Sequence, residues 1–307
     1  MSTPITAAQV KELRDRTGAG MIDCKKALEA TGGDLDSAAE KLRIEGMAKA
    51  DKKGARTAAE GMIGTAVSAD AIALVEVNCE TDFVTKGADF QDLANTAAKL
   101  ALAHRPATVE ALLALTVDGQ TLEQKRKALV AKIGENMTVR RFEVVAKAGG
   151  AIASYMHGAR IGVVVALATG DEALAKDLAM HVAASQPRYL DAASVPADVI
   201  AAEQKVIDAQ VAQEQEDAAA AAKEAGKDFK PKPADILAKM TEGKIRKFVG
   251  EITLLGQPFV KDPDQTVEKL LKSKNAQVAS FARLAVGEGI EKKQTDFAAE
   301  VAAASKV

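Results

Sequence analysis

Apolar positions in this chain switch between helical and strand spacing several times, and the switches outline its organisation. Thr6-Ala-Ala-Gln9 reads as a capping box opening a helix to about Arg16, which Gly18 and Gly20 stop. Met21, Cys24, Ala27 and Leu28 fall at helical spacing, so a second helix is expected from Met21 to Ala30, ended by Gly32-Gly33. Asp34 is a good N-cap for a third helix, Asp36 to Glu45. Three short helices make a small docking module over residues 1–54. Ala48 to Arg56 is basic and weakly patterned, a linker or a solvated extension of the third helix, with Gly54 and Gly61 as breakers.

From Gly61 the spacing becomes two and the residues β-branched. Strands are expected at Ile63–Val67 and Ile72–Val77, joined by a turn at Ser68-Ala69-Asp70. Helices follow at Ala88–Ala103, Val109–Leu115 and Leu122–Ile133; then strands at Val139–Ala146, Ile152–Met156 and Ile161–Ala168, and a helix at Asp171–Ser185. An internal repeat is visible. Gly61, Ile63, Ile72 and Leu74 recur at a constant offset as Gly150, Ile152, Ile161 and Val163, and Asp92-Leu93-Ala94 recurs as Asp177-Leu178-Ala179. Each copy is a strand hairpin and then a helix ending before Pro106 or Pro187. The copies define core subdomains at 55–149 and at 150–193 with 242–287.

Pro196 to Ala225 is almost pure Ala, Glu, Gln, Asp, Lys and Val, a strong helix former with a small-residue seam. Gly226 to Pro233 reads as a turn, and Ala234 to Thr241 returns as a second arm. Residues 194–241 therefore form a protruding antiparallel helical hairpin of coiled-coil type, a candidate for homodimer contact or a merely solvated arm. Lys244 to Leu255 reads as partly helical, Gly256 to Phe259 as a turn, Thr266 to Lys274 as a helix, and Val278 to Val286 as a strand completing the second sheet. A C-terminal helical module is expected at 288–307, opened by Thr295-Asp296-Phe297. The fold class is α+β.

The second copy has only Ala168-Thr169-Gly170 between its strand and helix, whereas the first carries Asn78-Cys79-Glu80-Thr81-Asp82-Phe83-Val84 at that corner. The scaffold does not require this insert. Phe83 invites question because the chain has only eight Phe, two Tyr and no Trp. Two readings stand. Thr81 or Asp82 caps free amides while Phe83 staples the helix to the core, or the corner presents its side chains outward for recognition.

The same corner carries a resemblance. With Leu13-Arg14-Asp15-Arg16-Thr17-Gly18-Ala19-Gly20-Met21, Lys132-Ile133-Gly134-Glu135-Asn136, Tyr155 to Arg160, Met180 to Ala184, Gly256 to Phe259 and Val286 to Glu291, it resembles the elongation factor Ts family from about Thr6 onward. Members of that family are guanine-nucleotide exchange factors for elongation factor Tu in bacterial protein biosynthesis. The resemblance implies a ubiquitin-associated-like N-terminal bundle touching the partner's G domain, with Arg14 and Met21 on its contact face. It implies Thr81, Asp82, Phe83 and Val84 as the element that disturbs the partner's Mg²⁺ and phosphate site. Ile133, Gly134 and His157 become further partner contacts, His157 toward the partner's β-barrel domain 3. GDP, GTP and Mg²⁺ would belong to the partner, and this chain would need no cofactor.

Composition is compatible with that reading. The 307 residues are 48% hydrophobic and 27% charged with net charge −2, an ordinary globular balance with no global field toward nucleic acid. Cys24 and Cys79 form no metal spacing, and the first residues lack the basic and apolar regions of a signal peptide, so a reduced cytoplasmic setting is expected. No apolar run is long enough for a membrane span. No P-loop, dinucleotide-binding, zinc-protease or serine-hydrolase motif is present, so no small-molecule substrate is expected. His104, His157 and His181 lack metal spacing and read as structural groups. Two rivals remain: a scaffold dimerising through the hairpin, and an enzyme using Glu80 and Asp82 as an i, i+2 carboxylate pair on a strand.

Overall fold

The computed structural model describes residues 4–226 and 228–291. The expected helix opened by Thr295-Asp296-Phe297 lies outside the described residues. Chain contacts divide the protein into two units, one from the described parts of Met1–Val144, Met156–Gly162 and Leu284–Val307, the other from Val145–Tyr155 and Val163–Arg283.

The first unit opens with α1 (Ala7–Thr17), α2 (Met21–Ala30) and α3 (Leu35–Lys53). Both bonds of the Thr6–Gln9 capping box form, and Gly18 ends α1 in the left-handed region at φ 67°. Val10, Leu13, Cys24, Ala27, Leu28 and Ala38 make a small separate core. The third helix is longer than its apolar pattern predicts. It runs through the basic stretch to Lys53, so residues 48–53 are helix rather than linker. The reason is a small-residue seam: Ala38, Gly46 and Ala50 are buried along one face, and a Cβ on Gly46 would meet Ala131 Cβ at 3.0 Å. Lys and Arg side chains occupy the other faces, which hid the periodicity.

β1 (Glu60–Val67) and β2 (Ala71–Cys79) pair antiparallel, with Val67 opposite Ile72 across the expected turn. Both strands outrun their sequence-based bounds, and every residue of β2 is buried. α4 (Ala88–His104) lies against β1 so closely that a Cβ on Gly64 would stand 2.3 Å from the Ala94 carbonyl oxygen. α5 (Val109–Ala114) follows, then a ribbon absent from the sequence reading, β3 (Thr116–Val117) and β4 (Gln120–Thr121), turned by Asp118-Gly119 with both residues at positive φ. α6 (Leu122–Ile133) and β5 (Met137–Ala146) complete the unit, with strand order β1-β2-β5.

A charge network centres on a buried carboxylate of β2. Glu76 has no exposed surface; it accepts from Arg141 Nε at 2.6 Å, Arg140 Nη1 at 3.2 Å, Asn78 Nδ2 at 3.1 Å and the Gly287 amide at 2.8 Å. Arg141 also donates to the Ala285 carbonyl at 3.0 Å and to Glu288 at 3.2 Å. Gly287 sits at φ +74°, and a Cβ there would lie 2.4 Å from the Ala59 carbonyl oxygen. Burial pushes the Glu76 carboxyl up, but the Gly287 amide, Arg141 and Asn78 outweigh it and hold it below its ordinary range.

The second unit holds most of β6 (Ile152–His157) and β7 (Ile161–Thr169), then α7 (Glu172–Ser185), α8 (Ala197–Glu224), α9 (Ala234–Ile252), β8 (Pro258–Phe259), β9 (Asp262–Thr266), α10 (Val267–Ser273) and most of β10 (Gln277–Ala285). Its sheet has the order β6-β7-β10, the same sequence of first, second and late-arriving third strand as β1-β2-β5. The repeated glycines do similar work. A Cβ on Gly61 would be 2.2 Å from the Val77 carbonyl oxygen, and one on Gly150 would be 2.8 Å from that of Leu167.

α8 and α9 pair as the expected hairpin, but the second arm does not break after Thr241; α9 is continuous to Ile252. Lys244 reaches Glu214 at 2.5 Å, and the Ile252 carbonyl accepts from the Arg188 amide at 2.8 Å. The Gly256–Phe259 turn ends in the β8–β9 ribbon. Its Gln257 closes a buried knot on His181. The Val260 amide donates to Nδ1 at 3.2 Å, so Nε2 carries the proton and donates to Gln257 Oε1 at 3.0 Å. The Gln257 amide in turn donates to the Ser185 and Glu251 carbonyls. Burial lowers the His181 pKa against the opposing pull of Gln257, so this histidine is structural and neutral. No described helix is long and apolar enough to cross a membrane.

Candidate functional site

At the β2–α4 corner the chain leaves the sheet after Cys79, passes through Glu80 to Phe83, and makes one 3-10 turn at Val84–Lys86 before α4. The repeat shows what is extra here. After β7, Asp171 directly caps α7 by accepting from the Leu174 amide at 2.8 Å. In the first copy the N-cap is Gly87, with no side-chain cap, and Thr81 and Asp82 cap nothing. The capping reading therefore fails. Phe83 is 76% exposed, so the stapling reading fails with it.

Thr81 is bound elsewhere. Its amide donates to Glu135 Oε2 at 2.9 Å and its hydroxyl to Glu135 Oε1 at 2.7 Å. One residue along on each side, the Asn136 amide donates to Glu80 Oε1 at 2.6 Å, and Arg56 stands 3.5 Å from the same oxygen. The Asn136 side chain donates to the Arg56 carbonyl at 2.7 Å, and Lys53 donates to the Gly134 carbonyl at 2.6 Å. The corner is thus clasped to the α6–β5 turn, and that turn to the end of α3. Gly134 makes the turn possible at φ 93°. Cys79 donates its thiol proton to the Thr81 carbonyl at 3.1 Å. Burial, reinforced by the carboxylates of Glu135, Glu60 and Asp82, pushes that thiol up to about 12, so it stays protonated and unreactive.

Past the clasp, Val84 is buried in the sheet's core while Asp82 and Phe83 point out. The Thr85 hydroxyl donates to the Asp82 carbonyl at 2.6 Å, Gln91 donates to the Thr85 carbonyl at 3.1 Å, and Lys86 Nζ lies 5.5 Å from the centre of the Phe83 ring. An exposed aromatic is therefore carried on a backbone fixed from several sides. The supposed Glu80–Asp82 carboxylate pair does not exist: residues 80–82 are not strand, and Glu80 is committed to Asn136 and Arg56. Among the described residues no cluster of His, Cys, Asp or Glu is placed to hold a metal ion.

The other expected contact residues lie at the following places in the fold. Ile133 ends α6, partly exposed, next to Gly134. Met21 opens α2 and is 61% exposed, and its neighbour Ile22, which the sequence reading passed over, is 71% exposed. Lys132 draws these segments together: its stem packs 3.2 Å from a Cβ position on Gly18, and its ammonium reaches Asp89 in the first turn of α4 at 2.7 Å. Arg14 is exposed on α1. His157 is exposed at the end of β6, before Gly158 at φ +57°; that turn is held by the Ile63 amide donating to the Ala159 carbonyl at 2.8 Å and by an Arg160–Glu60 ion pair at 2.6 Å. Met21, Ile22, Phe83 and Ile133 are four of the nine exposed large apolar side chains among the described residues, the others being Ile44, Val67, Val206, Ile236 and Val260. Glu135 and Asn136 belong to the Lys132–Asn136 motif, but their role as ligands of the corner has no signal in local spacing, because they lie far from Thr81 in sequence.

Known proteins resemble the chain over most of its length. The family model for elongation factor Ts matches residues 80–288. An elongation factor Ts from Methylococcus capsulatus is 57% identical over 302 residues, covering 97% of this chain and 98% of its own. One from Azoarcus sp. is 56% identical over 301 residues, 97% and 96% of the two chains. One from Thioalkalivibrio sulfidiphilus is 52% identical over 305 residues, 98% and 99%.

Proposed function

The chain belongs to the elongation factor Ts family, and from that premise we propose that it is a guanine-nucleotide exchange factor for elongation factor Tu in translation elongation. It binds the GDP complex, disturbs the Mg²⁺ and phosphate side of the partner's site, and promotes GDP release and GTP uptake. The observation that carries this reading is the outward, braced Asp82–Phe83 pair on an insert that the second repeat lacks.

No covalent chemistry is required. Two ligands of one protein, this factor and GDP, weaken each other, and the weakening is reciprocal. Phosphates, Mg²⁺ and phosphate-binding loop stabilise one another on the partner. A rigid Phe83 entering near the metal, with Asp82 beside it, opposes that mutual support. Arg14, Met21, Ile133, Gly134 and His157 supply further contact surface, spreading the binding energy beyond one side chain. Thr81 and Val84 hold the pair in place rather than touch nucleotide, which remains the partner's ligand.

The test is release of a fluorescent GDP from elongation factor Tu. Substoichiometric amounts of this chain should accelerate release in proportion to concentration, and the chain alone should bind neither GDP nor GTP at micromolar strength. A release rate independent of the chain would refute the proposal.

A further inference from the structure

We propose that Glu135 is a positioning residue for exchange: its carboxylate, by accepting both Thr81 donors, sets the direction in which Asp82 and Phe83 leave the body. This inference rests on the exchange reading above and adds to it a residue outside the exposed pair.

The Phe83 ring is 76% exposed, so its direction is set by the backbone on its two sides: downstream by buried Val84 and by the Thr85 hydroxyl on the Asp82 carbonyl at 2.6 Å, upstream by what holds Thr81. The upstream backbone has left the β2 ladder after Cys79 and has not yet entered the turn at Val84. Across this gap the Thr81 amide and hydroxyl both end on one carboxylate, at 2.9 and 2.7 Å. Two bonds to the two oxygens of one carboxyl group restrict rotation where one would act as a pivot. The carboxylate is itself seated, because the next residue, Asn136, is 1% exposed and donates its amide to Glu80 at 2.6 Å and its side chain to the Arg56 carbonyl at 2.7 Å. Glu80 and Thr81 on one segment thus interlock with Asn136 and Glu135 on the other. Preorganisation of this kind acts on the step in which the aromatic enters the partner, since a loose corner must be ordered at that moment.

The experiment measures fluorescent GDP release from elongation factor Tu, titrated to saturation with wild type, Glu135→Ala, Thr81→Ala, their double variant, and Phe83→Ala as a control on the exchange reading. Loss of the clasp should lower the saturating release rate about tenfold in Glu135→Ala, while the half-saturating concentration changes little. Thr81→Ala keeps the amide bond and should lose less. The double variant should be no slower than Glu135→Ala, because both changes break the same contact. Should Glu135→Ala reduce the folded fraction, Glu135→Gln supplies the same reading: its amide oxygen accepts from one donor and its NH₂ opposes the other, so the saturating rate falls in a folded protein. A normal saturating rate per folded molecule in both Glu135 variants, losses that multiply in the double variant, or a loss confined to half-saturation overturns the positioning role. If Phe83→Ala is slow while the Glu135 variants are fast, only the positioning role fails. If Phe83→Ala is as fast as wild type, the exchange mechanism itself fails and takes this role with it.

Discussion

Phe83→Ala is expected to leave the melt within about 0.5 kcal/mol of wild type while slowing GDP release at saturating factor by up to about a hundredfold. The two halves have separate causes. The ring is 76% exposed, with Lys86 Nζ at 5.5 Å from its centre, so the folded chain loses little when it is removed. Burying that ring in a partner is worth roughly 2–3 kcal/mol, about two decades in an equilibrium constant. Asp82→Ala should act in the same direction and non-additively, since the two are neighbours in one contact. Lowering free Mg²⁺ should partly restore both variants if loosening the metal is their task. A large stability loss with a normal release rate per folded molecule would contradict the account.

Glu76→Ala should have the largest effect on stability, about 3 kcal/mol. Removing one partner of a buried charge network leaves the other groups unsatisfied, and Glu76 is fully buried with two arginines, an amide side chain and the Gly287 amide on it. The cost sits toward the low end of the range for buried pairs because Arg140 and Arg141 are about one-third exposed and can turn to water. The same carboxyl makes stability depend on pH. It is held below its ordinary value of 4.5, so its contribution is complete above that pH and is lost as pH falls through the lower, folded-state value. Denaturant titrations from pH 7 downward should show wild type losing stability across that window and Glu76→Gln, weaker at neutral pH, losing less. An unchanged melt for Glu76→Ala, or equal acid slopes for wild type and Glu76→Gln, would contradict the network's role.

Much of this was legible in the sequence where local chemistry decides. The Thr6–Gln9 capping box, the Ser68–Asp70 turn and the repeated Gly61 and Gly150 each specify their own surroundings, and each appears where its residues place it. What was not legible depends on partners distant in sequence. α3 continues to Lys53 because Gly46 and Ala50 face α6, a seam too small in side-chain volume to register as an apolar stripe. The β3–β4 ribbon does carry a local signal, Asp118-Gly119, but its strands are only two residues each, too short for an alternating pattern. Of the corner, the sequence supplied Phe83 and the missing counterpart in the second copy, enough to raise a choice between staple and presented side chain. It did not supply the choice itself, which rests on Glu135 and Asn136 drawing Thr81 and Glu80 away from the helix start.

The central claim is that this factor and GDP oppose each other on one partner. The most direct test is titration calorimetry of the chain against elongation factor Tu, once nucleotide-free and once saturated with GDP and Mg²⁺. Reciprocity predicts that GDP weakens binding of the factor by the same ratio as the factor weakens binding of GDP. Equal affinity for the two forms would contradict the account.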